Sequence, residues 1–130
     1  MAEEYKYSDL TGKIIWCAMQ VHSFFGLGFP EIIYQRALAL ELDKAGIKFQ
    51  QEIEVPIFYK DYPDAIGKRR VDFLIEGIVL VEIKAVSELI DLHTCQILNY
   101  LNAYKIEVGL LINFGEKSLL FRRFAMNHRL

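Results

Sequence analysis

Hydrophobic positions along this chain keep a helical period at first, change to a strand period, and then alternate between the two. Over residues 8–25, Leu10, Ile14, Cys17, Val21 and Phe25 recur at spacings of three and four, one stripe of a helix. Gly26-Leu27-Gly28 interrupts that stripe, and Pro30 stands where the first residue of a helix needs no N–H donor. A second helix is expected over residues 30–45, stopped by Gly46. From residue 47 the period becomes two. Ile47, Phe49, Gln51, Ile53, Val55, Ile57 and Tyr59 share one face of a long strand, with Pro56 favouring an edge or a bend. A turn over 61–67 leads into two strands, 68–75 and 78–85, joined as a hairpin at Glu76-Gly77. A helix over 88–104, with Leu89, Leu92, Gln96, Tyr100 and Ala103 along one side, and two strands over 107–114 and 118–124 complete the chain. The order ααβββαββ predicts an α/β or α+β fold around a central mixed β-sheet.

Length and composition narrow the class without naming a function. The 130 residues fit one domain, 1–130, and with 53% hydrophobic and 25% charged residues the chain is not a disordered one. A net charge of -2 excludes a histone-like basic coat and leaves room for a local basic site. Cys17 and Cys95 form no CxxC or Cys/His cluster, which argues against zinc and for a reduced, cytoplasmic setting. No signal peptide is expected, and no apolar run approaches the roughly 20 residues of a membrane span, so a membrane role is not expected. Trp16 and Cys17 read as first-helix packing and Cys95 as a small buried apolar group, while His22 is a surface polar residue or a ligand. His128 sits in a polar tail.

The chemistry lies in charges that interrupt apolar strands. Glu82 and Lys84 fall two residues apart in Val79-Leu-Val-Glu82-Ile-Lys84, on one face and about 6–7 Å apart at a strand rise of about 3.3 Å. Val79, Val81 and Ile83 take the other face. On the partner strand Val71, Phe73 and Ile75 form an apolar face and Asp72 looks away from it. Placing both apolar faces in one core puts Asp72 beside Glu82 and Lys84, and that requires an odd-membered loop or a bulge at Glu76-Gly77. A strict two-residue loop would put the carboxylates on opposite faces. The resulting cluster is either a structural lysine–carboxylate pair or a divalent metal site of hard oxygen donors with a lysine beside it. His93, Gln96 and Tyr100 lie on one stripe of the third helix, and Glu31 and Tyr34 lie one turn apart at the start of the second. Glu31 there also suits the helix dipole.

Taken together these residues resemble a known family. Gly28-Phe-Pro-Glu31-Ile-Ile-Tyr34 matches the G-x-x-E-x-x-Y signature of a family of small bacterial proteins. Arg70-Val-Asp72-Phe-Leu, Val81-Glu-Ile-Lys84-Ala, His93-Thr-Cys-Gln96-Ile-Leu-Asn-Tyr100 and Gly109-Leu-Leu-Ile-Asn-Phe-Gly115 follow in order. The GxxExxY family is placed in the PD-(D/E)XK nuclease-like superfamily, with a restriction-endonuclease-like core of mixed sheet flanked by helices. By this resemblance Glu31 is the first-helix acid, Asp72 the metal-binding aspartate, Glu82 and Lys84 the E-x-K pair, and Gln96 the polar residue of the following helix. Tyr34, His93 and Tyr100 are supporting members of the pattern. Asp72 follows Val71 where proline is common.

The implied activity is Mg²⁺- or Mn²⁺-dependent hydrolysis of phosphodiester bonds in nucleic acid, with DNA favoured. Asp72, Glu82, the main-chain carbonyl of Ile83 and Glu31 would hold the metal, and Lys84 would orient the attacking water with help from Gln96. Lys68, Arg69 and Arg70 are expected phosphate contacts, extended by Arg122, Arg123 and Arg129. The alternative is a nucleic-acid-binding or protein-interaction module that keeps the metal site without turnover. An aromatic content of 13% also leaves apolar surface for a homo-oligomer.

Overall fold

Every expected element forms, with shifted ends. The computed structural model describes residues 6–127. In chain order these are α1 (Ser8–Phe25), α2 (Glu31–Lys44), β1 (Phe49–Ile57), β2 (Gly67–Ile75), β3 (Val79–Lys84), α3 (Asp91–Tyr104), β4 (Val108–Asn113) and β5 (Leu120–Ala125). His128 and Arg129 lie outside the described residues. The glycine stop after α2 works as its position predicts. Gly46 takes φ +73°, its N–H donates to the Asp43 carbonyl, and the Ile47 N–H donates to Leu42, so a Schellman motif closes the helix. Ile47 and Leu42 then both enter the core.

The five strands form one mixed sheet in sequence order. β1–β2, β2–β3 and β4–β5 pair antiparallel, while β3 and β4 run parallel, which requires the crossover that α3 supplies. α1 and α2 cover one face, where Ile14, Val21, Tyr34 and Leu38 meet Phe73, Val81, Ile83 and Leu110. α3 covers the other, where Ile97, Tyr100 and Leu101 meet Leu80 and Leu111. β3 and β4 are therefore buried on both sides and apolar almost throughout, each fully buried large side chain contributing about 1.5–3 kcal/mol. A carboxylate placed there is costly, and Glu82 lies in this layer.

The continuous apolar face expected over 47–59 is broken, as is the face shared by Val71, Phe73 and Ile75. Gln51 pairs with Phe73 and Ile53 with Val71, but Glu52 and Asp72 between them do not pair, and Glu52 sits at φ +52°. Phe49, Phe73 and Ile75 pack with α1 and α2, whereas Val55 and Val71 pack with α3. A left-handed residue turns the strand about its own axis, so strict alternation cannot carry across it. Asp72 stands at this crossover.

Other expectations need correction. Trp16 is exposed because it lies beside the core stripe of α1 instead of on it. The third helix begins at Asp91, not at residue 88, because the segment before it is held as a loop by Asn113. Its buried side is therefore Ile97, Tyr100 and Leu101, while Leu92, Ala103 and Cys95 face solvent. His22 is buried, with Nε2 2.8 Å from the Glu116 carbonyl.

Candidate active site

The β2–β3 hairpin turns through Glu76, Gly77 and Ile78, since Ile75 pairs with Val79. Glu76 and Gly77 both have positive φ, and three is the odd number that brings Asp72 level with Glu82. The paired register ends at Phe73–Val81. One position further the carboxylates replace the ladder: Glu82 Oε1 accepts the Asp72 N–H at 3.0 Å, and Asp72 Oδ2 accepts the Ile83 N–H at 2.7 Å. The two acids are thus interlocked through each other's strand, and the splay between the strands opens the site.

Burial is the largest influence on both. It pushes the Asp72 carboxyl up to about 6, with the Ile83 N–H pulling it down and the charge of Glu31 pushing it further up. Glu82 is pushed up to about 8 by burial and then by the charge of Asp72. The two titrate as a pair, and near neutral pH the metal-free pair keeps about one proton between its two groups.

Lys84 does not close an ion pair with either acid among the described residues. Its Nζ donates to Gln96 Oε1 at 3.0 Å. Gln96 is held in place by the start of α3, where the Ile90 N–H donates to His93 Nδ1 at 3.0 Å and the His93 N–H donates to the Ile90 carbonyl. Partial burial and then the charge of Lys84 lower the His93 pKa, which keeps the ring neutral and Nδ1 free to accept. Tyr100, one turn beyond Gln96, is raised by burial and by the charge of Glu82 and drawn down by the neighbouring Arg69 guanidinium.

Glu31 opens α2 at the exposed rim of the site. Its carboxyl is raised by partial burial and drawn down by Lys84. Tyr34 is not at the chemistry. Fully buried, it donates to the Gly26 carbonyl at 2.6 Å and stacks on Phe114 at 4.8 Å, which anchors the Gly26–Pro30 loop and so places Glu31. Ile83 turns its side chain into the α1/α2 core. Lys68 and Arg70 pair across to Glu54 and Glu52, at 2.8 and 4.0 Å, whereas Arg69 faces α3. Arg123 is half-buried and bonds the Lys6 carbonyl; Arg122 is exposed on β5.

Two contributors escaped the sequence reading. Asn113, fully buried, accepts the N–H groups of Val86 and Gly115 through Oδ1 and donates to the Val86 carbonyl and Glu116 through Nδ2. It fixes the loop that leaves Lys84. Its signal was present, a polar residue in the apolar run of β4, the same anomaly that marks Asp72 and Glu82. Glu52, whose charge raises Asp72, differs in no visible way from Glu54 in the sequence.

The donor set suits a hard divalent cation. Asp72 and Glu82 each spend one oxygen on a main-chain N–H, leaving the second oxygen of each as a ligand, and a bound cation would relieve the repulsion that raises their pKa values. Among the described residues no three His, Cys, Asp or Glu side chains stand close enough to ligate one ion. Two carboxylates with the remaining positions left to water and phosphate is the arrangement in which Mg²⁺ is usually held.

A model of the PD-(D/E)XK nuclease superfamily matches residues 8–124. The chain belongs to that superfamily. Its fold is shared with the crystal structure of SSO0001, at a TM-score of 0.59 and 18% identity, over 75% of this chain and 50% of that one. The chain thus spans about half the length of that protein. An alkaline exonuclease from Laribacter hongkongensis matches at a TM-score of 0.45 and 12% identity, over 86% of this chain and 68% of its own. No curated protein matches. The restriction-endonuclease-like core of this PD-(D/E)XK chain brings Asp72, Glu82, Lys84 and Gln96 to one end of the β2–β3 hairpin. Among its described residues no helix is long and apolar enough to cross a membrane.

Proposed function

We propose that this PD-(D/E)XK chain is a cytoplasmic, Mg²⁺- or Mn²⁺-dependent nuclease that hydrolyses phosphodiester bonds of DNA. The observation that carries the reading is the interlocked Asp72–Glu82 pair with Lys84 beside it, turned to Gln96 instead of being neutralised by either acid. Nothing about folding calls for two raised carboxyls side by side, Glu82 in the most buried layer of the sheet and Asp72 half-buried on the neighbouring strand.

Asp72 and Glu82 would hold the cation, with the main-chain carbonyl of Ile83, the residue whose N–H Asp72 accepts, and with Glu31 acting from the rim through water. When bound, the ion supplies charge that polarises the phosphodiester and eases the loss of a proton from water. Lys84 orients that water and stabilises charge gathering on the phosphoryl oxygens, while Gln96 keeps its ammonium from swinging onto the carboxylates. Arg69 meets a substrate phosphate most directly. Lys68 and Arg70 are already paired, but exposed pairs worth about 0–1 kcal/mol exchange readily for phosphate. Exposed Trp16, Met19, Phe24 and Leu27 offer apolar surface for a second copy, which light scattering would detect.

The test is cleavage of single- and double-stranded DNA in Mg²⁺ and in Mn²⁺ by the wild type and by Lys84→Ala. The expected result is metal-dependent cleavage reduced about 100-fold or more in the variant, with melting temperature little changed. Equal activity in Lys84→Ala removes the assignment. DNA binding without cleavage in either metal replaces it with a binding module that does not turn over.

A further inference from the structure

Beside the carboxylate pair a second cleft, of about 490 Å³, runs between the β1–β2 ribbon and α3. Its volume falls within the range of small-ligand sites. Val55 and Phe58 line it from one side, Arg69 from β2, and Tyr100, Ala103 and Tyr104 from α3. Tyr100 belongs to both places, since it lines the cleft with Arg69 and feels the charges of Glu82 and Asp72. Arg69 stands level with Val55 in the ladder, so it takes the face toward α3, while its neighbours Lys68 and Arg70 take the other face and are paired with glutamates. Among the described residues Arg69 makes no ion pair. Tyr104 is anchored by its hydroxyl, which donates to the Glu54 carbonyl at 3.1 Å.

We propose that this cleft receives an unpaired nucleotide of the DNA strand whose phosphodiester lies at Asp72 and Glu82. The proposal rests on the nuclease reading and adds the substrate's form. A nucleotide has a flat apolar face and an anion one bond series away. The cleft offers aromatic rings at Phe58, Tyr100 and Tyr104 with one uncompensated guanidinium at the end nearest the carboxylates. A base stacked within a duplex has no free face to present, so the cleft selects a single strand or a frayed end. Arg69, which makes no ion pair among the described residues, would take the phosphate as a charged acceptor.

The experiment measures binding by fluorescence anisotropy in the Lys84→Ala background, so that the probe is not consumed. The probes are a fluorescein-labelled oligothymidylate of about ten nucleotides and a blunt duplex of equal length. The expected result is affinity for the strand about tenfold or more above that for the duplex. Tyr104→Ala should weaken strand binding by about tenfold, the size of one lost base–aromatic stack. Ala103→Trp, at an exposed position that fills the cleft without removing any core atom, should weaken it similarly and guards against a Tyr104→Ala variant that misfolds. Equal affinity for strand and duplex, or strand affinity unchanged within about twofold by Ala103→Trp, overturns the proposal. The wild type's cleavage assay separates the two readings. Strand binding lost on filling the cleft, with no cleavage in either metal, leaves the subsite standing and removes the nuclease. Cleavage with no effect from the cleft variants does the reverse.

Discussion

Replacing Glu82 by glutamine separates a site built for a cation from a structural ion pair. Glutamine keeps the shape and the oxygen that accepts the Asp72 N–H, and it removes only the charge. The Glu82 carboxyl is raised from 4.5 to about 8, mainly by burial and then by Asp72, so folding favours its neutral form. A carboxyl raised in this way contributes its full stability below pH 4.5 and loses it as pH rises toward 8, because the unfolded chain releases its proton first. At pH 7 that loss spans about 2.5 pH units at about 1.4 kcal/mol each, or roughly 3–4 kcal/mol. Glutamine does not titrate. In EDTA the variant should therefore melt higher than the wild type at pH 7, by roughly 10 °C for a chain of this size, with the gap closing toward pH 4.5. The same variant should lose metal-dependent activity, since stability gained by discharging a site is a common trade against function. Calorimetric melts across that pH range make the check. A variant that melts below the wild type at pH 7, as a broken structural pair would, refutes the reasoning.

Mn²⁺ titrated into the wild type at pH 7 should displace about one proton, read by calorimetry in two buffers of different ionisation enthalpy, because the raised Asp72–Glu82 pair must discharge to ligate. Asp72→Asn should abolish the binding heat, and binding without proton release would contradict the raised pair. Gln96→Ala, which frees the Lys84 ammonium to swing onto the carboxylates, should lower kcat by about 10- to 100-fold with KM little changed, whereas an unchanged kcat removes its positioning role. Gly115→Ala should destabilise by roughly 3 kcal/mol in urea melts, since a Cβ there would lie 2.5 Å from the Val86 nitrogen and 2.6 Å from its carbonyl carbon. A loss under about 1 kcal/mol would mean that the loop after Lys84 gives way freely.

Periodicity determined most of the architecture. The α1 stripe, the Gly46 stop and the doubly apolar runs of β3 and β4 follow from hydrophobic spacing and glycine chemistry, because those are local and act before any long-range contact forms. The interruptions of those runs by Asp72, Glu82 and Lys84 marked the site for the same reason: a charge in a buried strand needs a cause. Parity alone also required an odd hairpin loop, and Glu76-Gly77-Ile78 is one.

Other features depend on atoms distant in sequence. The left-handed Glu52 that moves Val55 and Val71 to the opposite core from Phe49 and Phe73 leaves no mark in the alternation of β1. Nothing in Lys68-Arg69-Arg70 tells that two of the three are paired across the ladder and the middle one faces α3. That follows from the β1–β2 register. The late start of α3 depends on Asn113, 22 residues after Asp91, which holds the intervening loop from across the parallel pair. The sequence chose the site's residues because burial makes each of them expensive. Their partners, Gln96 for Lys84 and each carboxylate for the other's strand, were chosen by the packing of sheet and helix, which no spacing along one chain encodes.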